Sequence, residues 1–252
     1  MGVWGATPVP IEAAHHPSSD IDQVRITSAY TPEAGEFEIY QVTEFLNDGS
    51  SKSAKTFTRF EYGVTDDLVV EAVVPFKFRR PKSGSNTEGL GDVALEVKYR
   101  VIREPDAPVS VGVGFEVGFP TGDEGRGLGN GNFKYEPILS LGKVFEWGSI
   151  HQDAKLELVR ETGGGVKREA STTSAIGWEL ADEIGGLEHV TGWLALDWKF
   201  VENTRTKLSL IPALSGEFEG LPVEIEWGVG IPIGLTDAAD NWGLITSLEV
   251  EF

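Results

Sequence analysis

The chain of 252 residues contains no cysteine. That removes every disulfide and every thiolate metal site from consideration. It also lacks any apolar run near the roughly 18 to 20 residues of a membrane-spanning helix. Even the stretch from Leu68 to Phe76 is broken by Glu71. Basic residues are scarce, 21 against 40 acidic ones, for a formal charge of −19. Phosphate contacts need clustered Lys and Arg, so nucleic acid is not an expected partner. The same charge disfavours docking on an anionic membrane surface. The opening MGVWGATPVP has neither the basic start nor the apolar core of a signal peptide. An exported chain is therefore expected to be represented here in its mature form.

What the sequence has in quantity is glycine, 31 residues, and a hydrophobic period of two. Residues 1–33 are irregular and carry Pro8, Pro10, Pro17 and Pro32. They are expected to form a plug or a periplasmic extension, and 34–252 a single β-domain. The clearest strand, 109–119, sets Val109, Val111, Val113, Phe115, Val117 and Phe119 against Ser110, Gly112, Gly114, Glu116 and Gly118. Similar alternation marks 68–79, 92–101, 189–200 and 223–233, with Val190 on the apolar face of its strand. Weaker matches cover 36–46, 55–64, 132–145, 149–160, 172–182 and 206–218. The last segment, 241–252, places Leu244, Thr246, Leu248, Val250 and Phe252 on one face, and Ile245, Ser247, Glu249 and Glu251 on the other. The total is about twelve strands.

Without a spanning helix, only a closed barrel can satisfy every backbone group in lipid. The connections fit one. Long Gly-rich loops such as TGDEGRGLGNG tend to alternate with short turns such as TDD and EWG, although VENTR is short for its place and DEIGGLE long. Aromatic residues on the apolar face gather near strand ends. Phe45, Phe76, Phe78, Phe119, Phe133, Phe200 and Trp242 lie toward the long loops, and Tyr62, Tyr99, Phe145, Trp178, Trp227 and Phe252 toward the short turns. Two such girdles mark the membrane interfaces of a barrel. The expected fold is thus an all-β, antiparallel, up-and-down transmembrane barrel. Phe252 closes it at the periplasmic rim, and its strand is the expected signal to the barrel-assembly machinery. Pro75, Pro120, Pro137, Pro212 and Pro232 lie within strands, and bulges are expected at them, Pro137 and Pro212 in particular.

Three phrases carry a resemblance: GVTDDLVVEAVVPF (63–76), GLGDVALEVKYR (89–100) and GVGFEVGFPTGDEGRGLGNGN (112–132). They resemble the outer-membrane proteins associated with the meta pathway of phenol degradation, over roughly 35–252. The resemblance implies an outer-membrane β-barrel of a Gram-negative-type bacterium that carries small, often aromatic or hydrophobic, molecules.

Alternation assigns a set of charged residues to the lumen: Arg59, Glu61 and Glu71; Asp92, Glu96, Lys98 and Arg100; Glu116, Lys134 and Glu136; Asp153 and Lys155; Asp197 and Lys199; Glu224 and Glu226. Same-face neighbours two residues apart lie about 7 Å from each other. Such charges either set solute selectivity or form an internal salt-bridge web. Inward Gly112, Gly114, Gly118, Gly228 and Gly230 leave room, for a passage or for curvature. The loop from Asp123 to Asn132 is rich in oxygen ligands but lacks the spacing of a calcium loop. His15 and His16 are adjacent with no third metal ligand evident, and His151 and His189 lie inward on separate strands. No Ser–His motif is present, and Glu224 with Glu226 is explained by a wet lumen as well as by a glycosidase pair. The expected protein is therefore not an enzyme and uses no cofactor and no metal. It is a passive channel whose partners are outer-membrane lipid and a small solute. The alternatives are a soluble β-barrel or sandwich that binds a ligand, and a closed structural barrel.

Overall fold

The computed structural model describes residues 20–252 except 22–23, 50, 82–84, 105, 161–163, 203 and 219. Pro8, Pro10, Pro17, His15 and His16 lie outside the described residues. Among those described, the strands are β1 (Asp20–Ile21), β2 (Ile26–Thr27), β3 (Phe37–Asn47), β4 (Ser51–Thr65), β5 (Leu68–Pro81), β6 (Thr87–Leu90), β7 (Ala94–Ile102) and β8 (Ser110–Gly118). They continue with β9 (Lys134–Phe145), β10 (Gly148–Arg160), β11 (Val166–Ile184), β12 (Leu187–Val201), β13 (Lys207–Phe218), β14 (Glu224–Gly230), β15 (Ile233–Gly234) and β16 (Trp242–Glu251). A 3₁₀ turn spans Glu124–Arg126.

Twelve strands, β3 to β5, β7 to β14 and β16, pair antiparallel in chain order and close through β16 and β3. The short β6 extends the β5 ladder, and β15 pairs with β13 and β16. Closure leaves no open edge, which lipid would not tolerate. The seam ends on Phe252, whose N–H donates to the Phe37 carbonyl at 3.0 Å and whose ring lies 6.3 Å from that of Phe37.

All twelve expected barrel strands are present, and the differences are at their ends. β11 and β12 run on until only Gly185-Gly186 separates them, with φ of +64° and +85°. Positive φ at both central residues defines the tight hairpin turn whose twist suits the strands. The misfit of DEIGGLE therefore disappears, because most of it is strand. The prolines cause no bulge at Pro137 or Pro212, where the register is continuous. Each sits instead beside a gap in one ladder. The pairing of β9 with β10 skips from Ile138 to Tyr135. Pro212 faces Ile231 between β14 and β15, and Pro75 faces Gly91 between β6 and β7. A missing N–H costs little where no acceptor is waiting.

The outward face is an apolar belt. Leu95, Val97, Tyr99, Val113, Phe115, Leu139, Leu194, Leu196, Leu244 and Leu248 are all exposed large hydrophobics. Aromatic pairs flank it, Phe45 with Trp242 at 5.6 Å and Phe119 with Phe133 at 5.8 Å toward the long loops, and Phe145 with Trp147 at 5.1 Å toward the short turns. Val190 does not join the belt. It is only 9% exposed, beside the register break between Glu188 and Thr191. Leu139, 46% exposed and mid-strand on β9, tests the lipid contact. Leu139→Arg is expected to lower the unfolding free energy in lipid by about 2–4 kcal/mol. A denaturant titration in vesicles showing no change would mean that this face does not meet the bilayer.

Residues 20–36 complete the architecture. The chain leaves β3 at the short-turn rim, where Gly35 N–H donates to the Gly63 carbonyl and Thr31 Oγ1 to the Asp66 carbonyl, both at 2.7 Å. From there it lies against the inward side of the wall. Ala29 stands over Gly112, and Tyr30 over Gly142, where an added Cβ would come within 2.7 Å of the ring. Ile21, Val24 and Ile26 pack with Ala175, Trp193, Ala195 and Ile211 into the larger buried apolar cluster. A smaller one, Tyr40, Val42 and Ile245 with Phe57, lines the closing seam. The room at Gly112, Gly114 and Gly118 does not form a passage. Ala29 fills the first, Glu96 and Ile138 the second, and Lys134 the third.

Candidate functional site: the barrel lumen

Strand alternation sends every second side chain inward, and the register decides which meet. Across successive strands, Glu224, Glu251, Glu38, Glu61, Glu71, Glu96, Glu116 and Glu136 each stand directly opposite the next. Lys134 then bridges Glu136 to Glu157, which stands opposite Glu169. Because barrel strands tilt, this ladder of carboxylates climbs from the short-turn rim to the long-loop half. Like charges directly opposite one another repel, so counter-charges are built in. Arg59 Nε reaches Glu71 at 2.8 Å and stacks over Tyr40 at 5.3 Å. Lys98 lies 3.8 Å from Glu61, with both side chains almost fully buried. Lys134 sits among Glu116, Glu136 and Glu157, at 2.5, 3.7 and 3.8 Å.

Above the N-terminal segment lies a cavity of about 400 Å³. Ten of the sequence-selected residues line it: Arg59, Glu71, Glu96, Glu116, Lys134, Glu136, Asp153, Lys155, Asp197 and Lys199. Asp153 accepts from the Thr27 and Thr173 N–H groups at 3.1 and 2.9 Å, with Lys155 Nζ at 3.6 Å. Lys199 pairs with Glu169. In all, ten carboxylates and seven basic side chains line the cavity, so its formal charge is negative.

The other six selected residues sit elsewhere. Glu61 and Lys98 are packed out of reach of the cavity. Asp92 ties down the long 119–133 loop, accepting from Gly122 and Asn130 N–H at 2.9 and 2.6 Å. Arg100 turns to the short-turn rim, where it and Arg103 hold Asp67 at 3.0 and 2.6 Å. Burial raises the Asp67 carboxyl, but the two guanidinium groups together outweigh it and hold it below its ordinary range. Glu224 is exposed at the rim. Glu226 belongs to a second cavity of about 690 Å³ at the short-turn rim, together with Trp178, His189, Trp193 and Glu217. Within the 123–132 loop, Asp123 Oδ1 accepts from Arg126 N–H at 3.2 Å. His151 is buried, 3.0 Å from Ser149 Oγ and edge-on to Tyr30.

Several residues that matter here escaped the sequence reading. Arg25 Nε donates to Glu44 at 2.8 Å, and its other side reaches Asp197 at 2.5 Å. One cation thereby ties the N-terminal segment to β3 and β12. Glu104 accepts from Tyr30 Oη at 2.7 Å and from Val144 N–H at 3.1 Å, and pairs with Lys143. Burial pushes the Glu104 carboxyl up, but these donors outweigh it and hold it below its ordinary value. Alternation along β3 and β4 marks Glu44 and Lys55 as inward. Nothing local marks Arg25, whose segment has no period.

A family model described as "Putative MetA-pathway of phenol degradation" matches residues 28–186, more than half of the chain. The chain belongs to that family. The match begins inside the N-terminal segment and ends in the β11–β12 turn. Among solved structures, the chain is similar to an outer-membrane channel from Pseudomonas putida F1. The TM-score is 0.62 at 14% identity, covering 91% of this chain and 100% of that one. The β-domain of the Bordetella autotransporter BrkA is a weaker likeness, with a TM-score of 0.49 at 10% identity, covering 86% of this chain and 98% of that one. No curated protein matches. With that channel the chain shares the closed, antiparallel β-barrel fold.

Proposed function

We propose that this family member is a passive outer-membrane channel for small molecules, shut in the described arrangement by Ile21 and residues 24–32. The observation that carries the proposal is the charged cavity bounded by the N-terminal segment. A barrel built only as a wall would fill that space with its own side chains. The charge pattern refines the solute. From Leu208 to Phe252 the chain has no lysine or arginine, and β3 has none. Together with the glutamate ladder, this makes β14, β16 and β3 an acidic wall, which favours neutral or cationic solutes over anions. The family's link to phenol degradation, with Trp178 and Trp193 at the lower cavity, supports small aromatic molecules as cargo. Neutral phenols fit the charge pattern better than aromatic carboxylates. The protein needs no cofactor or energy source for this, and its terminal strand, ending in Phe252, is the element offered to the barrel-assembly machinery.

The reading is tested in planar bilayers under a potassium chloride gradient. The reversal potential is expected to report cation preference, and Glu96→Gln with Glu116→Gln is expected to reduce it. Anion preference would remove the solute assignment. The absence of any conductance, including in chains lacking the N-terminal segment, would leave a closed structural barrel.

A further inference from the structure

The β11–β12 hairpin brings together a donor set that the channel reading does not use. His189 Nδ1 or Nε2 and carboxylate oxygens of Glu188 and Glu217 all lie within 4.8 Å of one another. Strand alternation alone would send Glu188 and His189 to opposite faces. They converge because the ladder with β13 breaks register between Glu188 and Thr191, and His189 adopts φ +49°. On the near side of the break, Glu188 stands directly opposite Glu217. The same imidazole faces a second pair, Glu179 and Asp182, with Asp182 Oδ1 4.0 Å from Nδ1. His189 and Glu217 border the 690 Å³ cavity at the rim, so an ion from the periplasmic side has a way in.

We propose that His189, Glu188 and Glu217 bind one divalent transition-metal ion of the zinc class at the periplasmic mouth. An imidazole nitrogen with two carboxylate oxygens suits zinc, manganese or nickel better than magnesium or calcium, which take oxygen ligands alone. The Glu188–His189–Glu217 set is chosen over the other because its members are half-buried on paired strands, whereas Glu179 and Asp182 are exposed. Exposed carboxylates beside the site then concentrate the ion without ligating it.

The test uses the full chain in detergent, carrying His15→Ala and His16→Ala because two adjacent histidines bind zinc on their own. After chelator treatment, zinc is titrated calorimetrically, with magnesium as the hard-ion comparison. One equivalent of saturable zinc binding is expected, with no matching magnesium signal. His189→Ala and Glu217→Gln are each expected to weaken it by at least about tenfold, and Asp182→Asn by less than about threefold. Heat-dependent gel mobility confirms that each variant keeps its barrel. The proposal is overturned if zinc binding is not saturable, if magnesium competes equally, or if a folded His189→Ala variant binds as tightly as its parent. A complete loss in Asp182→Asn would also overturn it, moving the ligands to the exposed set.

Discussion

Removing residues 1–31 is expected to raise single-channel conductance at least several-fold. The described part of this segment occupies the lumen below the charged cavity, with Ile21, Val24 and Ile26 buried against Ala175, Trp193, Ala195 and Ile211. An aqueous path must go around or through that cluster, and the close contacts at Gly112 and Gly142 leave no room beside it. The shortened chain retains Gly35 and its hydrogen bond to Gly63, so the rim and the seam stay intact. Each of the three buried side chains stabilises the closed arrangement by about 1.5–3 kcal/mol. The shortened barrel should therefore unfold at lower denaturant while still migrating as a folded species. Paired bilayer recordings check the outcome. Equal conductance in a folded, shortened chain would show that the wall's own side chains close the lumen.

Arg25→Ala is expected to raise the open probability at least tenfold with the full chain present. Arg25 is the cation that holds the segment to two parts of the wall, Glu44 on β3 and Asp197 on β12. Hydrogen bonds to charged groups contribute about 1.5–3 kcal/mol each. The side chain is about one-quarter exposed to the lumen, so the lower end applies. A loss of about 1.5–3 kcal/mol shifts a closed-to-open ratio by roughly one to two powers of ten. Alanine also leaves two carboxylates facing the segment, which adds to its release. Arg25→Lys should restore only part of the closure, because a point ammonium cannot serve both carboxylates with fork geometry. Unchanged gating in Arg25→Ala would mean that the apolar cluster alone seats the segment.

The glutamates show how far alternation carries a sequence reading. Period two put Glu61, Glu71, Glu96, Glu116 and Glu136 on the inward face, and the structure places all five there. Their side-by-side order in one ladder depends on the stagger of each strand against the next, which turns and bulges far from these residues set. Asp92 and Arg100 have the inward parity but lie at strand ends, where loop N–H groups and Asp67 recruit them. The proline bulges failed for a related reason. A missing donor matters only if the neighbouring strand offers an acceptor, and gaps in the ladders beside Pro75, Pro137 and Pro212 remove it.

The sequence by itself determined the all-β class, the strand number, the outward apolar belt and the closing role of Phe252. Each follows from local periodicity and from the need to satisfy every backbone group in lipid. Only the tertiary structure decided what fills the lumen. Ile21, Val24, Arg25 and Ile26 have no period, and their partners on β3, β11, β12 and β13 come together only once the barrel has closed.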